Sequence, residues 1–421
     1  MQTKPPARLR GIATERDFLD RIGFDSIAAK VAKSGKKPVK VYGADVLDWG
    51  HKSEEITDVL ARIVKEGWGG HYLAHTNFMP ELKQAFADFE RDARGIDCEP
   101  GDIIPVSGIG PGWNLLHYAL VEPGDEMLCV QPAHYFWNPA TQLQLYGAKA
   151  VGADSFEEGV WRPDIEDLRR KVTRRTKAIV MVHPNNPTGT VYTQKTLKSI
   201  LDVAGENDLA VISDEIYDLI TYDGVESKSA AAISSDVPVI TTYSTSKFFM
   251  NPGWRIGFLH IHDPKGKMNE YSTTLKRVSS MYGNSQNTIP TFLAAAAAKV
   301  FRGPFKFKKS FLGKLQRSRD ATYKWLNAID GISCAKPQGS IYAFPRVEGI
   351  GTRWASSEGF LTEFAKAEGV AFVPGSYFGA QGEGHFRTLL LPEVSVLDDV
   401  YGRLESFMKA NTKRSSRSQK R

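Results

Sequence analysis

The chain has 421 residues, 42% hydrophobic and 24% charged, an ordinary globular composition with length for roughly two or three domains. The formal net charge is +6, but Lys413, Arg414, Arg417, Lys420 and Arg421 sit together in the acid-free tail "NTKRSSRSQKR", so the body is near neutral and shows no nucleic-acid surface. No apolar run reaches membrane-spanning length, "MQTKPPARLRGIATERDFLD" lacks a signal-peptide core, and Cys98, Cys129 and Cys334 form no CxxC, which points to a cytoplasmic protein with reduced thiols and no metal site.

Along the chain, residues 1–40 read as an N-terminal arm and 41–70 as the first part of a small domain, containing the strand and loop "VLDWGHKSEE". Residues 71–305 read as a large domain. Between 102 and 261 the short Val- and Ile-rich runs "DIIPV", "EMLCV", "AKAVG", "KAIVMV", "LAVIS", "VPVIT" and "RIGFLHI" are candidate strands. Patterns with helical spacing, such as "GWNLLHYAL" and "TLKSILDVAGEN", separate them. That alternation predicts an α/β fold: a mostly parallel sheet covered by helices on both faces. Residues 306–410 change texture. A long helix, "FKKSFLGKLQRSRDATYKWLNAI", leads to a strand pair in "ISCAKPQGSIYAFPRV". A helix over 357–368 then precedes "VAFVPGSYFG" and the strand "HFRTLLL". This is a smaller α/β domain completed by the N-terminal segment, followed by a disordered basic tail over 411–421.

Ligands on open α/β sheets gather in loops at the carboxyl ends of strands, and four such loops stand out. In "VSGIGPGWNLL" the backbone of Gly108, Ile109 and Gly110 opens a helix and reads as a phosphate cradle or as a plain tight turn. "HPNNPTG" holds two adjacent amides between prolines, which restrict the backbone. "ISDEIYDLI" places Asp214 and Tyr217 just past a strand, where a buried acid needs a partner. "YSTSKFFMNPGWRIGF" sets Lys247 among small polar residues, with Arg255 eight residues on: an amine nucleophile and an anion clamp. Together they ask for one ligand bearing a phosphate, a carbonyl for the lysine and a ring nitrogen for the acid. Pyridoxal 5′-phosphate has all three.

In these motifs, in order from about residue 40 to 410, the chain resembles the class I/II aminotransferases among the fold-type I pyridoxal-phosphate enzymes. The resemblance implies that Lys247 forms the internal aldimine. It implies that Arg255, Ser244 and Ser246 bind the phosphate with Gly108, Ile109 and Gly110. Asn186 and Tyr217 would hydrogen-bond the cofactor's phenolic oxygen, and Asp214 would pair with the pyridine nitrogen. Arg387, in "GEGHFRTLLL", would grip the substrate α-carboxylate, near Asn186 and Gly50. Tyr72, matched with a one-residue insertion, would reach a phosphate. The implied reaction is ping-pong transfer of an amino group from an L-amino acid to a 2-oxo acid by a homodimer.

Some positions depart from the family pattern. His134, in "QPAHYFW", replaces the aromatic residue that stacks on the cofactor ring, and Phe78 replaces a glycine. His134 either stacks or acts as an acid or base. It keeps open a second reading, a lyase, decarboxylase or oxidative deaminase on the same cofactor. A non-enzymatic regulator needs a DNA-binding module, for which the N-terminal 40 residues are too few. A nicotinamide enzyme needs the spacing GxGxxG, which the loop at Gly108 lacks.

Overall fold

The computed structural model describes residues 39–418 apart from 44, 71–79, 137–138 and 283–288. One seven-stranded sheet runs in the order Ile103–Val106, Gly257–His262, Val239–Ser244, Ala210–Asp214, Thr176–Val182, Glu126–Val130, Lys149–Ala153. Each corresponds to one of the predicted strands. Gly257–His262 is antiparallel to both neighbours, and the other pairings are parallel. Two antiparallel steps cancel, so every strand except Gly257–His262 points the same way. The loops that follow those strands therefore leave from one edge of the sheet.

The strands read as continuous apolar runs because both faces are covered. Met127 and Cys129 pack into the cluster containing Leu115 and Leu116 of helix Ile109–Leu120. Leu128 and Val130, pointing the opposite way, pack with Leu197, Ile200 and Leu201 of helix Gln194–Glu206. Each such side chain contributes about 1.5–3 kcal/mol when fully buried. Thr193 starts the second of these helices by accepting the Thr196 N–H at 3.1 Å.

Beyond the long helix Lys308–Leu326, Ile332–Ser333 pairs antiparallel with Arg346–Val347, the strand pair expected there. Tyr342–Ala343, Phe386–Leu389 and Val373–Pro374 form a three-stranded antiparallel sheet, and the helix Ser357–Glu368 matches its expected range. Val39–Lys40 runs parallel beside Val370–Ala371, which ties the N-terminal segment to this part of the chain. The last helix spans Val394–Ser418 and so enters the segment expected to be a disordered tail. Its earlier turns are anchored by buried Leu397, Val400, Tyr401 and Leu404, and extending a helix already nucleated costs little.

A hairpin of Ser155–Glu157 and Trp161–Pro163, too short to stand out in the sequence, bridges the two parts. Ser155 N–H donates to Gln381 Oε1 at 2.7 Å, Gln381 Nε2 donates to the Ser155 carbonyl at 2.9 Å, and His385 Nε2 lies 3.1 Å from Glu157. These contacts brace the strand that carries Arg387. Among the described residues, no helix is long and apolar enough to cross a membrane.

Candidate active site

The chain turns from strand Ile103–Val106 into helix Ile109–Leu120 at Gly108, whose φ is +85°. A Cβ there would lie 2.2 Å from Nη2 of Arg255, and one on Gly257 would lie 3.1 Å from the Gly108 carbonyl carbon. Glycine at 108 thus allows both the left-handed backbone and the close approach of the guanidinium. Arg255 is anchored by Nη1 donating to the Pro252 carbonyl at 2.8 Å. Ser244 is buried and pairs in register with Gly257, and its Oγ accepts the Ser246 N–H at 3.1 Å. Gly108, Ser244, Ser246 and Arg255 thus cluster where a helix begins, whose first-turn N–H groups have no partner within the helix and favour an anion.

Asp214 ends its strand, buried. Its Oδ1 accepts from Thr242 Oγ1 at 3.0 Å, across the register pair Asp214–Thr242, and from the Ile216 N–H at 3.4 Å. Burial lifts its carboxyl to about 6 despite those donors, and neighbouring Glu215 adds to the rise while Lys247 opposes it. The residues after it are held from behind. Arg94 bonds Glu90, Glu215 and Asp218, all buried. Burial pushes Asp218 up to about 7, and Glu215 also rises from burial. Against its burial, Arg94 and His260 hold Glu90 below its ordinary value.

The paired amides of "HPNNPTG" divide their work. Asn185 staples the loop: Oδ1 accepts the Thr188 N–H and Oγ1–H at 3.0 and 2.8 Å, and Nδ2 donates to the Pro132 carbonyl at 3.2 Å. Asn186 is left to face the cavity. Its Nδ2 donates to Tyr217 Oη at 3.3 Å, and its Oδ1 accepts from Arg387 Nη1 at 3.0 Å. Arg387 Nη2 donates to the Tyr42 carbonyl at 3.1 Å, which draws the N-terminal segment to the site.

A cavity of about 190 Å³ brings part of this set together; Gly108, Ser244, Ser246 and Arg255 are not among its lining residues. Ile109 and Gly110 line it together with Asn186, Asp214, Tyr217, Lys247 and Arg387. Lys247 is half-buried, and His134 borders the same space, its N–H donating to the Asn186 carbonyl at 2.8 Å. Burial, then the charges of Arg387 and Lys247, drop the imidazole to about 3, so it is neutral at physiological pH.

Gly50 is not among the lining residues; it forms an exposed turn with φ +73°, its N–H donating to the Leu47 carbonyl. Tyr42 meets Arg387 in its place. Tyr72 and Phe78 lie outside the described residues. Sequence reasoning passed over Trp113, Gln142 and Tyr342, which also line the cavity. Tyr342 Oη accepts from Tyr217 Oη at 3.2 Å, and the Arg387 Cζ lies 4.1 Å from its ring centroid. Its only sequence signal is its place in a strand next to the one bearing Arg387.

A family model described as aminotransferase class I and II matches residues 46–396. Glutamate-pyruvate aminotransferase AlaA of Haemophilus influenzae is 28% identical over 384 residues, covering 90% of this chain and 93% of that protein. Its namesake in Escherichia coli K12 is 33% identical over 319 residues, with 75% and 76% coverage. The solved alanine aminotransferase of Pyrococcus furiosus superposes with a TM-score of 0.87 at 35% identity, covering 95% of this chain and all of that one.

Proposed function

This chain belongs to the class I and II aminotransferases, and on that premise we propose that it exchanges amino groups between alanine and glutamate through their 2-oxo acids. It is a pyridoxal-phosphate-dependent enzyme that passes an amino group from an amino acid to a 2-oxo acid. The substrate pair rests on the names of the relatives, two glutamate-pyruvate aminotransferases and an alanine aminotransferase. The relatives named above do not favour a lyase, decarboxylase or oxidative deaminase.

The residues fit the cofactor on their own chemistry. Asp214 is a buried acid open to the cavity, Lys247 is an amine on the same wall, and Arg255 fills the space that a Cβ at Gly108 would take. That one cavity holds Asp214, Lys247, Asn186, Tyr217 and Arg387 is the observation that carries the reading. In it, Lys247 would join the cofactor carbonyl, Asp214 would pair with the ring nitrogen, and Asn186 and Tyr217 would hold the phenolic oxygen. His134, a neutral imidazole lining the cavity, would cover the ring. Gly108, Ile109, Gly110, Ser244, Ser246 and Arg255 would hold the phosphate. When bound, the cofactor supplies an electron sink for cleavage at the substrate α-carbon and carries the amino group between substrates.

The protein's part is placement and proton movement. A cationic ring nitrogen beside Asp214 favours the carboxylate form that burial alone opposes. Arg387 takes the α-carboxylate as a bidentate partner, with two of its nitrogens already anchored to Asn186 and to the Tyr42 carbonyl. Gripping that carboxylate spares it from loss and leaves the α-proton as the group removed. The Nζ of Lys247 would be the base that moves this proton.

The working unit in this reading is a cytoplasmic homodimer. Sedimentation at equilibrium checks the dimer. For the reaction, the cofactor-loaded protein is mixed with single amino acids and no acceptor. Alanine or glutamate is expected to bleach the visible band with release of one equivalent of 2-oxo acid. Repeated turnover with release of ammonia or carbon dioxide would overturn the reading.

A further inference from the structure

Four groups on the cavity wall form a closed circuit that these roles leave unexplained. Arg387 donates to Asn186 at 3.0 Å, Asn186 donates to Tyr217 Oη at 3.3 Å, and Tyr217 donates to Tyr342 Oη at 3.2 Å. The Tyr342 ring then returns to Arg387, whose Cζ stands 4.1 Å from its centroid. The strand register explains that contact. Tyr342 pairs with Leu389, two residues beyond Arg387 and on the same face of the strand, and diagonal neighbours across an antiparallel pair are within reach of aromatic and long side chains. Tyr342 is 2% exposed and has no solvent-facing role.

We propose that Tyr342 is a positioning residue with two separable actions: its ring sets the plane of Arg387 for the substrate carboxylate, and its hydroxyl competes with the cofactor for the proton of Tyr217. The inference rests on the reading that Arg387 meets the carboxylate and Tyr217 the cofactor's phenolic oxygen.

The ring argument follows from the guanidinium's surroundings. Two of its nitrogens are committed to Asn186 and to the Tyr42 carbonyl, but those bonds lie in its plane and do little to oppose tilting. An aromatic face against a guanidinium opposes tilting and attracts its charge. Phe378 gives a second ring contact, with Cζ 5.0 Å from its centroid.

The hydroxyl argument follows from proton count. A phenol has one proton, and Tyr217 donates it to Tyr342. Burial pushes the Tyr217 phenol well up, so it keeps that proton. Tyr342, against its own burial, is drawn below its ordinary value by Lys247, Arg387 and the bond from Tyr217, and its oxygen is the atom that accepts that bond. Each share of the proton given to Tyr342 is withheld from the phenolic oxygen. Removing the acceptor strengthens the bond to that oxygen, favours its anion, and moves the cofactor's acid–base midpoint down.

Two variants of the cofactor-loaded, full-length chain separate the actions. Tyr342→Phe keeps the ring and loses the hydroxyl; without substrate, the pH midpoint of the visible band is expected to fall by about one unit, the worth of a hydrogen bond to a charged group. Its KM for alanine is expected to stay within about twofold, because the ring contact with Arg387 remains. Tyr342→Leu loses the ring as well, and its KM is expected to rise roughly tenfold with kcat less affected. An unmoved midpoint in Tyr342→Phe overturns the hydroxyl role, and an unchanged KM in Tyr342→Leu overturns the ring role. If Tyr342→Leu does not fold, Tyr342→Met decides the ring role in its place. Failure of the aminotransferase reading would show instead in the parent protein, as a missing half-reaction with alanine or glutamate.

Discussion

Arg387 donates from Nη1 to Oδ1 of Asn186 at 3.0 Å, so the arginine proposed for the substrate carboxylate is one hydrogen bond from the amide proposed for the cofactor. Asn186→Ala removes both the guanidinium's anchor and a donor aimed at the phenolic oxygen. Loss of one preorganised donor costs about 100-fold or more in rate. The expected result is a fall of that size in kcat with a higher KM for alanine, read from steady-state kinetics. A change confined to KM would limit Asn186 to anchoring Arg387.

Gly108 is the position where a single methyl group tests the anion site. With φ at +85° and Arg255 Nη2 2.2 Å from the ideal Cβ, Gly108→Ala must displace the guanidinium and strain the backbone. Cofactor affinity is expected to fall at least tenfold, a modest share of a charge-assisted bidentate contact. Equilibrium dialysis of the cofactor-free protein measures it. Unchanged affinity would remove the Gly108–Arg255 pair from the phosphate site.

Lys247 lies half-buried on the cavity wall with Asp214 and Arg387. Lys247→Ala leaves no amine to join the cofactor or to move the α-proton. Turnover of alanine is expected to disappear, while the melting temperature of the cofactor-free protein changes little. A variant with ordinary rates would exclude Lys247 from both tasks.

Asp214 links function to stability with a definite sign. Burial raises its folded-state value to about 6, above the unfolded value of about 4. The folded, cofactor-free protein therefore binds this proton more tightly than the unfolded chain. That contribution is complete below pH 4 and is lost as pH rises through 6. Asp214→Asn keeps an oxygen to accept from Thr242 and Ile216 but carries no charge. Urea melts of the cofactor-free proteins are expected to show the variant more stable by up to roughly 3 kcal/mol at pH 8, with a smaller gain at pH 5. Comparison with the parent cancels the similar slopes from Glu215 and Asp218, which burial also raises. The loaded variant is expected to lose about 100-fold or more of its turnover.

What could be read from the sequence was what is local in sequence. Strands such as Thr176–Val182 are apolar at nearly every position because helices cover both faces, and that signal survives without a structure. Gly108, Asn186 and Lys247 each sit in a loop directly after a strand and Asp214 ends one, so adjacent residues announce them. Tyr342 does not, because its partner Tyr217 is 125 positions away and the ring's use depends on strand register with Leu389. Gly50 is a glycine that could approach substrate; it lies outside the cavity lining, and the contact this segment makes with Arg387 comes from the backbone of Tyr42, which leaves no mark in a sequence.

Arg94 shows the same limit and gives the sharpest stability test. It ends helix Pro80–Arg94, 121 positions before Glu215, and the "DEIYD" segment it grips gives no hint of its partner. Its side chain and those of Glu90 and Glu215 have no solvent exposure. Arg94→Ala leaves buried carboxylates without their cation, and breaking a buried pair in this way costs about 3–5 kcal/mol. Those carboxyls then take up protons more readily, so the loss is expected to be largest at pH 8 and smaller at pH 6. Urea denaturation at the two pH values measures it. Replacing the set with neutral groups, Arg94→Met with Glu90→Gln, Glu215→Gln and Asp218→Asn, is expected to recover most of the stability, because the penalty lies in the unpaired charges. If the neutral set is no more stable than Arg94→Ala, the damage comes from lost packing against Tyr243, whose ring centroid lies 4.6 Å from the Arg94 Cζ.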